Sequence, residues 1–185
     1  MNGNIAFTGE ISRESIENLI CNLKSEIGRQ RVWIDSPGGT FEFFSILGPS
    51  LRRFGFTGVA KNIHSAAITL YLLSNKRYAL PDATFFFHEV RAIIGNNAIT
   101  VCDLEDALSF EQKELKGKSR EVVEEMRRSL ANAQSWLLSF LCEQSRVSRS
   151  VFLDLMRSEV TLSAREALNY GIVQKIVTED ELHMI

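Results

Sequence analysis

The chain contains little cysteine and proline, and neither sign of charge dominates. Its three cysteines, Cys21, Cys102 and Cys142, are widely spaced and form no C-x-x-C pair. The sequence therefore indicates neither a disulfide framework nor a zinc site, and reduced thiols in an intracellular compartment fit best. A formal net charge of −2 provides no basic field for nucleic acid. We expect no nucleic-acid partner, no metal ion and no cofactor.

Long hydrophobic runs are also missing. The longest apolar stretch, residues 66–73, is interrupted by Thr69, and the amino terminus has no charged region followed by a long apolar segment. We therefore expect a cytoplasmic protein with no membrane contact. With 185 residues, of which 45% are hydrophobic, the chain is long enough for one well-buried domain and too short for two. A single domain over residues 1–185 is the expectation.

Strand-like and helix-like segments alternate along most of the chain. The hydrophobic pattern predicts strands at residues 5–7, 31–35, 57–60, 83–90 and 172–177. It predicts helices at residues 12–27, 41–54, 65–73, 148–156 and 163–170. Ser163 and Glu166 have the spacing of a capping box, and Gly171 ends the last of these helices. This alternation predicts an α/β fold.

Residues 103–144 differ in character from the rest. They are rich in Glu, Lys, Arg and Leu, contain no proline, and repeat leucine at helical spacings. The pattern predicts one long helix, or two helices broken near Gly117. Such a helix either projects and mediates association or covers the sheet with its polar face in solvent, and the sequence leaves both readings open.

Three features carry the chemistry. The segment 36–39 (Ser-Pro-Gly-Gly) follows an apolar run, Ser65 opens a helix of small residues, and His88 ends an aromatic run. Acyl transfer needs a hydroxyl, a base and backbone N–H groups aimed at a developing oxyanion. Taken singly, the tetrapeptide is most often a turn and a histidine is most often an ordinary core or surface residue. Together they suggest a serine nucleophile beside a backbone oxyanion site.

The order of these segments resembles a known family. Residues 32–40 (Val-Trp-Ile-Asp-Ser-Pro-Gly-Gly-Thr), Ser65, 76–81 (Lys-Arg-Tyr-Ala-Leu-Pro), 87–88 (Phe-His) and 162–173 occur as in the proteolytic subunit of the Clp protease. The resemblance implies an α/β, crotonase-like spiral of β-β-α units with an enlarged helical handle at about residues 91–145. It also implies a serine peptidase that assembles as stacked rings around a chamber.

The resemblance assigns roles by position. Ser65 matches the nucleophile and His88 the general base, while Gly39 and Ala66 match the residues whose N–H groups form the oxyanion hole and Gly38 shapes the turn. The implied function is a serine endopeptidase that hydrolyses peptides or unfolded proteins through an acyl-enzyme on Ser65. The implied partners are further copies in a homo-oligomeric ring and an AAA+ unfoldase.

The chain departs from the family pattern at several positions. Glu159 stands where the family commonly has the aspartate of its triad, and it is either the orienting acid or a solvated carboxylate at a helix end; Asp154 is a weaker candidate. His64 and Lys61 replace small residues before the nucleophile. We expect His64 to form a wall of the pocket, and Lys61 keeps a serine–lysine dyad open.

Two further departures concern assembly. The handle region is longer than that of the family, which argues against the usual stacking of two rings. The chain begins almost at its first strand, so we expect the family's axial loops to be missing and docking of the unfoldase to be weakened. A catalytically inactive structural or regulatory subunit is the alternative function. Acyl-CoA chemistry is a third reading, because crotonases share the fold and use backbone N–H groups in the same way.

Overall fold

A mostly parallel sheet forms the centre of the molecule. The computed structural model of the chain describes residues 3–25, 28, 30–94, 96–109, 114–115, 118–145 and 147–183. Its strands are β1 (Gly3–Thr8), β2 (Gln30–Ser36), β3 (Thr57–His64), β4 (Lys76–Phe86), β5 (Ala92–Ile94), β6 (Asn97–Ile99), β7 (Glu114–Leu115), β8 (Lys118–Ser119), β9 (Thr161–Ser163) and β10 (Lys175–Ile176). The sheet has the order β1-β2-β3-β4-β10 with all neighbours parallel, and β9 pairs antiparallel with β4.

Helices connect and cover these strands. They are α1 (Arg13–Ser25), α2 (Phe44–Phe54), α3 (Ala67–Leu72), α4 (Val101–Ser109), α5 (Arg120–Gln144), α6 (Arg149–Arg157), α7 (Ala164–Asn169) and α8 (Glu179–His183). Helix α1 buries one apolar stripe, whereas every residue of α3 is buried. Since parallel neighbours need crossover connections, the alternation read from the sequence becomes a parallel sheet with helices between its strands. The predicted continuation of the first helix to Ile27 lies outside the described residues.

Strand β4 differs from the prediction at both ends. It begins at Lys76, includes Pro81 and ends at Phe86, so His88 lies in the loop that follows rather than on the strand. Pro81 is tolerated because the ladder is interrupted around it. Residues 78–79 pair with β10, whereas residues 84–86 pair with β9, and the register to β3 shifts in the same region.

The carboxyl-terminal strand is shorter than predicted. Lys175–Ile176 pair with β4, and the flanking amides of Gln174 and Val177 donate to the β4 carbonyls of Arg77 and Ala79. The strand does not extend further back, because the amides of Ile172 and Val173 donate instead to the carbonyl of Ala167 in α7. The predicted capping box is present at the other end of this helix, where Ser163 and Glu166 exchange hydrogen bonds.

The charged segment forms two helices. Helices α4 and α5 are separated by the short β7–β8 hairpin, while Gly117 itself lies outside the described residues. Helix α5 buries six residues and contacts α3, α4 and α6, so it covers the core. No helix in the described ranges combines the length and apolar character needed to cross a bilayer.

Gly38, in the turn after β2, packs closely against the Ser65 turn. Gly38 has φ +95°, and a Cβ there would lie 2.6 Å from the Ser65 Cβ and 2.6 Å from the His64 carbonyl oxygen. Gly9 has nearly the same backbone angle, φ +94°, with nothing within 4 Å of its Cβ position. The two glycines therefore separate the cost of the backbone angle from the cost of lost space.

We expect Gly9→Ala to lower the free energy of unfolding by about 1 kcal/mol, because alanine is strained at positive φ. Gly38→Ala carries the same strain and also displaces the Ser65 turn, so we expect it to cost about 1–3 kcal/mol more. Denaturant unfolding of both variants measures the difference. Equal losses would contradict close packing between Gly38 and the turn.

Candidate active site

Ser65 lies on a strained turn between β3 and α3. Its φ is 55°, in the left-handed region that non-glycine residues rarely occupy. The turn is fixed on both sides, because the Ser65 amide donates to the Phe86 carbonyl at 3.0 Å and its carbonyl accepts from the Ile68 amide at 3.0 Å. Strain held in place by surrounding hydrogen bonds at the end of a strand is typical of functional residues.

Hydrogen bonds to Ile11 orient one backbone amide of the Gly-Gly turn. The Gly38 carbonyl accepts from the Ile11 amide at 2.7 Å, and the Thr40 amide donates to the Ile11 carbonyl at 2.9 Å. The N–H of Gly39 belongs to the same peptide as the Gly38 carbonyl and therefore points away from Ile11. The Gly38 amide is already used, since it donates to Ser36 Oγ at 3.2 Å.

The Gly39 and Ala66 amides remain free to bind an anion. Within the described ranges, neither N–H donates a hydrogen bond to a protein acceptor. Ser65, Gly39, Ala66 and His88 all line one cavity of about 630 Å³. Apolar residues from α3, α5 and α6 line much of the remainder, including Ile68, Met126, Leu130, Leu137 and Met156. The residues that carry a hydroxyl, an imidazole and two unpaired amides therefore line one mostly apolar cavity.

His88 has a defined tautomer. Its Nδ1 lies 2.6 Å from the Glu89 carbonyl oxygen, which only accepts hydrogen bonds, so Nδ1 carries the proton. Nε2 of the neutral ring is then unprotonated and free to act as a base. Burial lowers the pKa of His88 below its usual range, and the nearby Arg91 cation lowers it further, whereas the Glu89 carbonyl and the Glu159 carboxylate oppose the shift. In the described structure Ser65 and His88 share the cavity without a hydrogen bond between them.

Glu159 lies near His88 but is paired elsewhere. Its carboxylate accepts a hydrogen bond from Arg91 Nη2, and its side chain is 55% exposed. Glu159 also has a left-handed backbone, with φ 50°. The structure therefore brings the charge of Glu159 near the imidazole without a direct bond. Asp154 lies on the exposed side of α6.

A second ion pair involves the loop after His88. Glu89 is buried, and its carboxylate lies 3.6 Å from Arg157 Nε. The Cys102 thiol lies beside the same carboxylate. Burial and the neighbouring Glu89 charge raise the pKa of Cys102, so its thiolate is disfavoured and it is a poor nucleophile.

His64 and Lys61 belong to a polar network on the sheet. His64 Nε2 lies 3.4 Å from Thr84 Oγ1, and the Lys61 ammonium lies 3.4 Å from Asp35. Asn62 connects the two ends by a 3.0 Å bond to each of Asp35 and Thr84. Neither His64 nor Lys61 is among the described residues that line the cavity. The network therefore stabilises the strand ends below the nucleophile.

Two residues near His88 carried no prediction from the sequence. Arg91 has no local signal, because its partner Glu159 is distant in the chain. Gln134 has one signal, since it falls at helical spacing among Leu130, Leu138 and Leu141, where a polar side chain interrupts an apolar stripe. Within the described residues, no cluster of three or more His, Cys, Asp or Glu side chains could hold a metal ion.

The fold and the sequence are both similar to those of known proteins. The structure is similar to a point mutant of ClpP1 from Listeria monocytogenes, with a TM-score of 0.63, 20% sequence identity, and coverage of 96% of this chain and 92% of that chain. At this identity the likeness establishes the fold, and it confirms the α/β fold of the Clp proteolytic-subunit type expected from the sequence. A search of curated protein sequences gave no significant match. The family model described as Clp protease matches residues 2–180, and the chain belongs to the Clp protease family.

Proposed function

We propose that the chain is a serine endopeptidase that cleaves peptides or unfolded proteins through an acyl-enzyme on Ser65. The observation that carries the proposal is the strained Ser65 turn, which shares one cavity with His88 and with the free amides of Gly39 and Ala66. Membership of the Clp protease family supports peptidase chemistry in general. Gly38 shapes the turn by lying against Ser65.

The chemistry follows from the tautomer of His88. Nε2 takes the proton of the Ser65 hydroxyl as Oγ attacks the scissile carbonyl carbon. The carbonyl oxygen becomes negative and accepts hydrogen bonds from the Gly39 and Ala66 amides. As the carbon–nitrogen bond breaks, Nε2 returns the proton to the leaving amine. Water then repeats the sequence on the ester and releases the acid.

In the described arrangement, the contact between Ser65 and His88 must still form before reaction. Ser65 and His88 are not hydrogen-bonded, and such contacts often tighten only when substrate binds. Glu159 has a proposed electrostatic role, because its carboxylate favours the imidazolium that forms during the attack. Direct orientation of the ring by Glu159 would first require the carboxylate to leave Arg91.

The proposed setting is that of the family resemblance. We propose one Clp-type domain over residues 1–185, with residues 91–145 as its handle, assembled as a cytoplasmic homo-oligomeric ring. An AAA+ unfoldase is the proposed partner that delivers unfolded substrate. The burial of α5 against the core supports a structural role for the handle within each subunit.

A fluorophosphonate probe tests the nucleophile. We expect the probe to label the wild type at Ser65 and to spare Ser65→Ala, since labelling needs an activated hydroxyl. Ser45→Ala is the matched control, because Ser45 is exposed and its hydroxyl donates only to the Glu42 carbonyl at 3.0 Å. Mass spectrometry of labelled peptides locates the adduct. Labelling that persists in Ser65→Ala would contradict the assignment.

The pH dependence of kcat/KM tests the base. Because His88 must be neutral to accept a proton, activity should fall with decreasing pH through a pKa below the ordinary 6.5. Arg91→Gln removes a cation that lowers this pKa, so its acid limb should move to higher pH. Glu159→Gln removes a charge that raises the pKa, so its limb should move to lower pH.

Lys61→Gln is the control for these charge changes, because Lys61 is exposed, pairs with Asp35 and does not line the cavity. We expect its acid limb to match that of the wild type. If the acid limb moves in neither Arg91→Gln nor Glu159→Gln, His88 is excluded as the titrating base.

The second candidate function is a structural or regulatory subunit without peptidase activity. The Arg91–Glu159 ion pair favours it, because the carboxylate that resembles the triad acid is engaged by an arginine. Peptide cleavage by the purified homomeric protein, lost in Ser65→Ala, would eliminate this candidate. An inert homomer that co-assembles with an active homologue would establish it.

A further inference from the structure

Gln134 is a buried polar side chain on the apolar face of α5. Only 6% of its surface is exposed, and its neighbours on the same face are leucines. A buried amide is costly unless its polar atoms are hydrogen-bonded. The contacts of Gln134 therefore explain why the amide is tolerated at this position.

Both ends of the amide have partners. Oε1 accepts a hydrogen bond from the Val90 amide at 2.7 Å, and Nε2 lies 3.2 Å from Met156 Sδ, a weak acceptor. The Val90 N–H only donates, so it requires the oxygen of Gln134 and fixes the orientation of the amide. Helix α5 is thereby connected to the loop that follows His88.

The connection passes directly to the imidazole. The N–H of Val90 and the carbonyl of Glu89 belong to one planar peptide and point in opposite directions. Gln134 holds the N–H side of this peptide, while the carbonyl side accepts the Nδ1 proton of His88 at 2.6 Å. Two hydrogen bonds through one peptide polarise each other and restrict its rotation.

We propose that Gln134 is a positioning residue that fixes the orientation and tautomer of His88 through the Glu89–Val90 peptide. The proposal rests on the assignment of His88 as the base. Gln134 and the peptide do for Nδ1 what an orienting carboxylate does in a serine triad. The nearby carboxylates are engaged otherwise, since Glu159 binds Arg91 and Glu89 pairs with Arg157.

The consequence for catalysis is specific. If the peptide rotates, Nδ1 loses its acceptor and the proton is free to move to Nε2, where it blocks the base. The charged groups around the ring, Arg91 and Glu159, do not select the tautomer, because neither is hydrogen-bonded to it. Loss of Gln134 should therefore reduce kcat while leaving KM nearly unchanged.

The experiment measures the tautomer directly by ¹⁵N NMR of labelled histidine in the full-length protein. The His88 signals are assigned by comparison with His88→Gln. We expect the neutral wild-type ring to be protonated at Nδ1. Gln134→Met keeps the approximate size but replaces the amide oxygen by a thioether, a much weaker acceptor, so its His88 should shift toward the Nε2–H form. Gln134→Glu retains an acceptor and should retain the Nδ1–H form.

Leu138→Met controls for repacking of α5, because Leu138 is buried on the same helix and does not line the cavity. It should keep the wild-type tautomer. In peptide cleavage, Gln134→Met should lose about tenfold or more in kcat, and Gln134→Glu should recover part of it.

Two results would overturn the proposal. One is a wild-type His88 protonated at Nε2, a result that does not depend on whether any variant folds. The other is an Nδ1–H ring retained in folded Gln134→Met, with folding checked by circular dichroism. Since the NMR measurement needs no activity, an inactive wild type with the expected tautomers would count against the peptidase proposal alone.

Discussion

The close approach of the Gly38 backbone to the Ser65 turn is the constraint on which the site depends. A Cβ at Gly38 would lie 2.6 Å from the Ser65 Cβ, so the two segments meet with no side chain between them. The bonds from Ile11 fix the other edge of the same turn and direct the Gly39 amide away from Ile11. An oxyanion donor must be in place before the charge develops, because reorganisation during reaction would cost part of its benefit. In the proposed mechanism, the backbone contacts supply that preorganisation.

Charge around His88 is arranged in pairs. Arg91 engages Glu159, and Arg157 engages Glu89, so the carboxylates nearest the imidazole are already partnered. A ring that is partly buried beside paired charges stays neutral more readily than one facing a free carboxylate. The described state therefore favours an imidazole ready to accept a proton over an imidazolium stabilised by a triad acid.

Local sequence carried much of the information about the fold and the site. The Gly-Gly turn, the small-residue helix after Ser65 and the capping box at Ser163 each depend on neighbours within a few residues, and their patterns were readable. The extent of β4 was not, because Pro81 is accommodated only by a change of partner strand. The Arg91–Glu159 pair joins distant segments and leaves no periodic signal. Gln134 was visible only as an interruption of a leucine stripe.

Helix α5 contributes both to the packing of the core and to the surroundings of His88. Its leucines bury one face against the core and line part of the cavity, while the buried amide of Gln134 contacts the peptide after His88. If α5 only covered the sheet, an apolar residue at this position would give a more stable helix packing, because a buried amide must replace its lost hydration with hydrogen bonds. The proposed role explains the buried amide, because its hydrogen bond to Val90 holds the loop after His88 in one orientation. In the proposed mechanism, packing of α5 and the chemistry of His88 are therefore coupled through one side chain.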